Sequence, residues 1–362
     1  MNIGIFSKFE MCGGSEFRGC ELANGIAQFT EHNVSLLVRG NRIPEGLKTY
    51  LNPSVEVVLS AMSNPEAFYS KDCILTINTD SKAFTTCDYW DGKSDQGAHV
   101  VDLSKIKKMI FLFNFLVSPS RYLDSINNRG PAVGIVTTNV KFFEEITKQD
   151  RYENVRTLPR MRLESPIDEN RHDFKHRPLL ADAAPSLTVG MHSKGLGNKW
   201  NEDLPYVVAK INERFSQDNP FKFHFMGMSG DRRKDFEKAK FPNVKIYREN
   251  EIPVRDFLNQ TDVYTFMPSW KREEPWARVV AEGMMSGCPI LATDKGGNKD
   301  QIIQGHNGFL CKRKDDFFKY LCMLKAHPGI LTRMGQNSRR RAMTEFRTPV
   351  IVKRLVNFIE SF

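Results

Sequence analysis

The N-terminal half of the chain alternates short apolar segments with longer amphipathic ones. Four nearly continuous apolar runs have the pattern of strands buried on both faces of a sheet; they are residues 3–6, 34–38, 73–77 and 133–136. After the first run, Ser15 can cap a helix that carries Phe17, Leu22 and Ile26 on its apolar face. Strands that alternate with helices predict a parallel sheet covered on both sides.

The C-terminal half repeats this pattern. Its apolar runs predict strands at residues 187–191, 221–226, 244–247 and 263–267. We expect a helix to begin at Pro275, because proline suits the first helical position, and to end at Gly287 before a strand over 289–292. After residues 307–308 the chain is predicted to be helical to its end, with a final helix starting at Thr348.

A chain of 362 residues has the length of two ordinary domains. The predicted fold class is α/β, with two Rossmann-like, doubly wound parallel-sheet domains facing a cleft. The predicted parts are an N-terminal domain, a linker, a C-terminal domain and a helix that returns to the first domain: 1–168, 169–185, 186–345 and 346–362. Residues 158–185 are rich in proline and charge, so His172 and His176 are interpreted as solvated linker residues and not as metal ligands.

The segment that begins at Glu274 has the strongest chemical pattern. Seven residues separate Glu274 from Glu282, and a glycine turn, Gly296-Gly297, follows the next strand. With a helix starting at Pro275, the two acids would lie about 12 Å apart along the axis. Between them, the helix N-terminus would offer free N–H groups and a positive dipole end to a diphosphate. The pattern predicts a nucleotide-sugar site that includes Pro275, Trp276, Ala277 and Arg278.

These residues, together with Asn307-Gly308, resemble the donor-site signature of the GT-B-fold retaining glycosyltransferases of family 4. The resemblance implies that Glu274 contacts hydroxyls of the donor sugar and that Glu282 binds the ribose. It also implies transfer of a sugar from a nucleoside diphosphate sugar, with a UDP-sugar favoured, to a hydroxyl acceptor with retention. It covers residues 187–345 strongly and the preceding residues loosely.

Two loops are candidates for the donor diphosphate. Lys194 and Lys199 lie in a glycine-containing loop after a predicted strand, where ammonium groups and backbone N–H groups can hold phosphates. The family has an Arg and a Lys at similar spacing, so a Lys here replaces the bidentate guanidinium. Gly13 and Gly14 follow the first strand, and the resemblance places such a loop beside the donor phosphates.

Catalysis is expected to depend on Lys194, Lys199 and the helix start, which would stabilise the leaving diphosphate, while Glu274 orients the sugar. No metal or other cofactor is required in this interpretation, and no convincing Asp-x-Asp site is present. Relatives often have a His beside the sugar in the N-terminal domain, and Asn114 can stand there. Asp91 and His99, in a polar loop, are alternative groups on the acceptor side.

Composition bounds the remaining choices. Seven scattered cysteines without Cys-x-x-Cys spacing, and a first strand that begins at once without a leader, indicate a soluble cytoplasmic protein. Residues 1–168 contain 19 Lys and Arg against 20 Asp and Glu, so the formal +9 lies in the C-terminal half. The apolar run 109–117 is about half the length of a membrane span and is interpreted as a buried strand with a charged lead-in. The lysines before it leave peripheral membrane contact as the alternative.

The acceptor is not identified by the sequence. A glycan, a lipid-linked glycan or a small molecule fits, and DNA with hydroxymethylated bases is an alternative that would require phosphate contacts and base extrusion. A nucleotide-sugar epimerase with the same fold and an inactive binding scaffold are further alternatives, since fold does not dictate function.

Overall fold

The structure, a computed structural model, describes residues 1–7, 9, 14–77, 101–113, 131–138, 140, 143–144, 158–174 and 186–362. The chain divides into two compact units. Unit 1 consists of Met1–Pro166 and Arg347–Phe362, and unit 2 consists of Ile167–Phe346. Each unit is built around one parallel β-sheet.

The sheet of unit 1 has seven strands in the order β3-β2-β1-β4-β5-β6-β7, and every strand pair is parallel. The strands in chain order are β1 Asn2–Ser7, β2 Asn33–Val38, β3 Glu56–Val58, β4 Cys73–Ile77, β5 Lys108–Phe113, β6 Ala132–Thr137 and β7 Arg160–Arg162. Side chains of β5 alternate between the two faces. Met109 and Phe111 join the core on one face, and Ile110 and Leu112 join the core on the other. The sheet is therefore covered on both sides.

Four helices of unit 1 are described: α1 Gly14–Phe29, α2 Glu45–Lys48, α3 Glu66–Tyr69 and α11 Thr348–Glu360. Helix α11 is the last helix of the chain, and the helices numbered between α3 and α11 belong to unit 2. Helix α11 packs against α1 on one face of the sheet through Ile351, Leu355 and Ile359. An ion pair between Arg354 and Glu164, 2.7 Å long, also holds it to the segment after β7. The C-terminal residues thus belong to the core of unit 1.

The sheet of unit 2 has six parallel strands in the order β10-β9-β8-β11-β12-β13. They are β8 Leu187–His192, β9 Phe221–Met226, β10 Val244–Tyr247, β11 Val263–Phe266, β12 Ile290–Thr293 and β13 Gly308–Cys311. Strands β9 and β10 extend the sheet on one side of β8, whereas β11, β12 and β13 extend it on the other. The strand order therefore reverses between β8 and β11. In open α/β sheets, ligands bind at such a switch point, outside the carboxyl ends of the strands.

The helices of unit 2, in chain order, are α4 Leu204–Arg214, α5 Gly230–Ala239, α6 Val254–Asn259, α7 Arg278–Met285, α8 Asn298–Gln301, α9 Lys314–Ala326 and α10 Pro328–Glu345. One continuous apolar core joins all of these helices except the short polar α8 to the sheet. Across the described residues of both units, every helix is too short or too polar to span a lipid bilayer.

The predicted α/β class with two doubly wound parallel sheets is confirmed. Strand β5 covers the described part of the apolar run 109–117, and the other predicted strands are present within one or two residues of their expected bounds. Strands β3, β7 and β13 were not predicted. Because β13 follows Asn307 directly, the expectation of continuous helix from there was wrong. The helix expected at Pro275 begins three residues later, at Arg278.

Candidate functional site

The loops that follow β8 and β11 lie on either side of the switch point in unit 2, and they are tied to each other. Backbone N–H groups of Asn201 and Ser269 cross between the loops to Met267 and Asn198, at 3.0 and 3.2 Å. The fully buried side chain of Asn201 also donates to the carbonyl of Pro268 at 2.6 Å. Buried hydrogen bonds of this kind fix the relative position of the two loops. Polar side chains on them can therefore hold a defined geometry.

Glu274 and Lys199 meet at this junction. The Lys199 Nζ atom lies 2.5 Å from Glu274 Oε2, so the ion pair joins the loop after β8 to the loop after β11. Arg272 Nε contacts the same oxygen at 2.8 Å. All three side chains are largely buried, and burial lowers the pKa of Lys199 against the opposing charge of Glu274. Two cations therefore share one carboxylate oxygen.

Arg272 was not among the residues singled out from the sequence, although a local signal could have found it. Residues 271–274 alternate in exposure: Lys271 and Glu273 are exposed, and Arg272 and Glu274 are half-buried. The signal in the sequence is proximity: Arg272 is a cation two positions before the candidate acid, and its Nε atom contacts Oε2 of that acid.

Lys194 lies in the same loop as Lys199, which ends the short 3₁₀ turn Gly197–Lys199. Its backbone carbonyl accepts a hydrogen bond from the indole Nε1 of Trp200 at 3.1 Å, and Trp200 is buried in the core of unit 2. The Lys194 charge acts on Lys199, lowering the pKa of that ammonium group further. The loop thus carries two ammonium groups, and the Lys199 group is paired with Glu274.

The glycine turn at Gly296-Gly297 packs against the backbone of the Glu274 segment. A Cβ atom on Gly297 would lie 1.9 Å from the carbonyl oxygen of Pro275, and one on Gly296 would lie 2.3 Å from that of Glu274. Gly296 has a φ of +52°, which favours glycine, and the Gly297 N–H donates to the Glu274 carbonyl at 2.8 Å. Glycine at both positions permits this close approach, which positions Glu274.

Residues 275–277 are not helical, which corrects the predicted start of the helix. Ala277 is the N-cap of α7, and its carbonyl accepts from the Gln301 side chain at 3.0 Å. Trp276 is buried against Phe346 in an edge-to-face contact. The helical rise of about 1.5 Å per residue therefore applies only from Arg278 onward. The predicted separation of about 12 Å between Glu274 and Glu282, which assumed a helix from Pro275, has lost its basis.

Glu282 lies on α7 and is only 9% exposed. Its Oε1 atom accepts from Arg278 Nε at 2.8 Å, one helical turn earlier, and its Oε2 atom accepts from His192 Nε2 at 2.9 Å. Burial acts to raise the pKa of Glu282, but Arg278 and His192 lower it to about 2. The carboxylate is thus ionised and held from two sides. His192, at the end of β8, was not identified from the sequence.

His172 lies close to this charged group, which corrects its interpretation as a solvated linker residue. It is 7% exposed, and its Nδ1 atom is buried without a hydrogen-bond partner among the described residues. The adjacent Asp173 accepts from Asn259 at 2.9 Å and forms an ion pair with Arg255. The ring of Phe174 packs on Gly287, just after α7. Residues 172–174 are therefore docked on unit 2.

Some predicted site residues lie outside the described residues: Gly13, Asn114, Asp91, His99 and His176. Gly14 is described and begins α1. No group of three or more potential metal ligands occurs within the described ranges. The structure brings together two groups of charged and polar side chains in unit 2. The first group is Lys199, Arg272 and Glu274. The second group is Arg278, Glu282, His192 and His172. The first group contains more cations than anions and can bind an anion such as a phosphate.

Comparisons with known proteins show what the chain is similar to. Residues 201–341 match the family model described as glycosyl transferases group 1. Over 120 residues the chain is 27% identical to spore coat protein SA of Bacillus subtilis, covering 32% of this chain and 31% of that protein. Over 87 residues it is 28% identical to trehalose synthase of Pyrococcus horikoshii, covering 24% of this chain and 20% of that protein. The chain thus spans a third or less of these curated relatives.

Among solved structures, HepE from Anabaena in complex with UDP aligns over 100% of both chains with a TM-score of 0.71 and 15% identity. The same protein in complex with UDP-glucose aligns over 100% of both chains with a TM-score of 0.69. At this level of identity the likeness establishes the fold alone, the GT-B fold with two parallel-sheet α/β units.

Proposed function

We propose that this protein is a glycosyltransferase that moves a sugar from a nucleoside diphosphate sugar to a hydroxyl acceptor. A UDP-sugar is the favoured donor, the anomeric configuration is retained, and no metal takes part. The observation that carries the proposal is the contact between Lys199 and Glu274 across the switch point of unit 2. Glu274 lies within residues 201–341, which match the group 1 glycosyl transferases, and Lys199 lies two residues before that match. HepE, the similar structure, binds UDP and UDP-glucose.

The chemistry follows from the charges at this junction. Breaking the bond between the sugar and the diphosphate leaves an oxocarbenium-like carbon and places negative charge on the leaving phosphate. Lys199, with Lys194 nearby, supplies positive charge at a largely buried position, where it stabilises that phosphate more strongly than in water. Glu274 accepts hydrogen bonds from sugar hydroxyls and orients the anomeric carbon. These ammonium groups do the work that a divalent cation does in metal-dependent transfer.

Glu282 is the proposed ribose ligand. Arg278 and His192 keep it ionised, and each carboxylate oxygen retains a lone pair that can accept a ribose hydroxyl. In this proposal, the two side chains that hold the carboxylate, Arg278 and His192, also orient it toward the nucleoside. The acceptor is not assigned, because the candidate residues Asn114 and Asp91 lie outside the described residues.

Thermal unfolding in the presence of UDP-, GDP-, ADP- and CMP-linked sugars tests the donor. One donor class should stabilise the protein, by about 2.7 kcal/mol at a concentration of 100 times its Kd. Lys199→Ala should remove the shift, whereas Lys222→Ala, an exposed lysine on β9, should not. The absence of a shift with every donor would contradict the proposal.

Nuclear magnetic resonance of the selected donor then identifies the reaction. Transfer should release the nucleoside diphosphate and give a glycoside with the anomeric configuration of the donor. Slow hydrolysis should first release a free sugar with that same configuration. Appearance of an epimeric nucleotide sugar would indicate an epimerase instead, and donor binding without any turnover on glycan, lipid-linked or hydroxymethylated DNA acceptors would indicate a binding scaffold.

A further inference from the structure

The ion pairs at Glu274 have an asymmetric geometry. Lys199 and Arg272 both contact Oε2, at 2.5 and 2.8 Å, and neither contact involves Oε1. One negative charge thus faces two positive charges in a largely buried position. The carboxylate neutralises only one of the two cations, so the group as a whole keeps a positive charge.

The two cations come from different loops, and each loop is held independently of the ion pair. The Lys199 loop is fixed by Trp200 and Asn201, which are buried in unit 2. The Glu274 segment is fixed by the N–H of Gly297. Since the loops do not depend on the ion pair for their position, the cations remain in place when another anion takes over the contact. This is the arrangement of a preorganised anion site.

We propose, on the premise of the function proposed above, that Arg272 binds the donor diphosphate together with Lys199, and that Glu274 competes with the diphosphate for these two cations. When the donor binds, the contacts that Lys199 and Arg272 make with Oε2 of Glu274 are replaced by contacts with phosphate oxygens, while the two loops stay in position. Oε2 is thereby released and, with Oε1, accepts hydroxyls of the donor sugar. Binding of the diphosphate and of the sugar are coupled through one carboxylate.

This coupling has a consequence that distinguishes it from a simple sugar-binding role of Glu274. Removing the charge of Glu274 leaves both cations available to the diphosphate. Glu274→Gln should therefore bind UDP more tightly than the wild type, by about fivefold, the size of a partly exposed ion pair. The same variant should lose the preference for UDP-sugar over UDP, because the amide is a weaker acceptor for sugar hydroxyls.

Arg272→Ala should have the opposite effect on UDP. Loss of a hydrogen bond between charged groups should weaken UDP binding by about tenfold or more, while binding of UMP, which lacks the second phosphate, changes much less. Lys271→Ala and Glu273→Gln are matched controls, because these two residues flank Arg272, carry the same charges and are exposed. Both should bind UDP and UMP as the wild type does.

The experiment is calorimetric titration of the full chain with UDP, GDP and ADP, and then of each variant with the nucleotide that binds and its monophosphate. Failure of the wild type to bind any diphosphate overturns the proposed function and this inference with it. If the wild type binds but Glu274→Gln binds the diphosphate equally or more weakly, only the competition between Glu274 and phosphate is wrong. If Arg272→Ala is folded and binds the diphosphate as the wild type does, Arg272 has no part in the site. Should that variant not fold, Arg272→Lys serves in its place, and unchanged discrimination between di- and monophosphate overturns the assignment.

Discussion

His172 offers a direct test of the structure, because the sequence and the structure place it in different environments. In a solvated linker, its pKa would be near the ordinary value. In the structure, burial lowers the pKa of His172 to about 4, against the opposing charge of Glu282. The positive charges of Arg278 and His192 act in the same direction as burial. The folded protein should therefore keep this imidazole neutral well into the acidic range.

The pH dependence of stability follows from this difference. Above about pH 6.5 the imidazole is neutral in both the folded and the unfolded chain, so His172 adds no pH dependence. Between pH 6.5 and 4 the unfolded chain takes up a proton that the folded chain does not. The free energy of unfolding therefore decreases as the pH is lowered through this range. At about 1.4 kcal/mol per pKa unit, the loss reaches about 3 kcal/mol at pH 4.

Urea unfolding of the wild type and of His172→Gln at pH 7, 6, 5 and 4 measures this loss. The variant cannot take up the proton, so the wild type should lose about 3 kcal/mol more than the variant over this range. His306→Gln, at an exposed histidine of the same unit, should lose stability in parallel with the wild type. Equal pH profiles for the wild type and His172→Gln, or a His172 ring resonance that titrates near pH 6.5, would refute the burial of this side chain.

Two further predictions concern the same unit. The pKa of Glu282 is depressed, so its ion pairs stabilise the fold above about pH 4.5 and lose that effect as the pH falls toward 2. Glu282→Gln should therefore lower the free energy of unfolding by about 3 kcal/mol at pH 7 and by less at about pH 3.5. An equal loss at both pH values in urea unfolding would contradict this. Gly297→Ala forces a methyl group against the Pro275 carbonyl and should lower stability by about 1–3 kcal/mol and weaken donor binding. Gly329→Ala, at a helical glycine with no atom near its Cβ position, should be neutral or stabilising in the same thermal unfolding assay.

The glycine turn Gly296-Gly297 shows how a tertiary contact overrides the local helix preference at Pro275. Pro275 is a good first residue of a helix, which led to the prediction that the helix begins there. In the fold, however, the carbonyl of Glu274 accepts from Gly297, and the Pro275 carbonyl lies against the same turn. This contact, between residues more than twenty positions apart, holds 275–277 in a non-helical path. Propensity could not show it, because the partner is distant in sequence.

The sequence alone determined the class of the fold and supplied the candidate site residues. Continuous apolar runs mark strands that are buried on both faces, and this pattern is local, so the parallel sheets of both units could be predicted. Lys199 was a candidate because it lies in a glycine-containing loop after a predicted strand, and Glu274 and Glu282 were candidates because of their spacing around a predicted helix start and the family resemblance. Short edge strands such as β3 and β7 escaped prediction, since their side chains are only partly buried.

Only the tertiary structure decided which charges pair with each other. Glu274 pairs with Arg272, two residues away, and also with Lys199 from a distant loop. Glu282 pairs with His192 at the end of another strand. The burial of His172 likewise results from the docking of residues 172–174 beside α7. An ion pair depends on distance and on the exclusion of water, and both are set by how separate segments pack. A linear pattern of charged residues contains neither quantity.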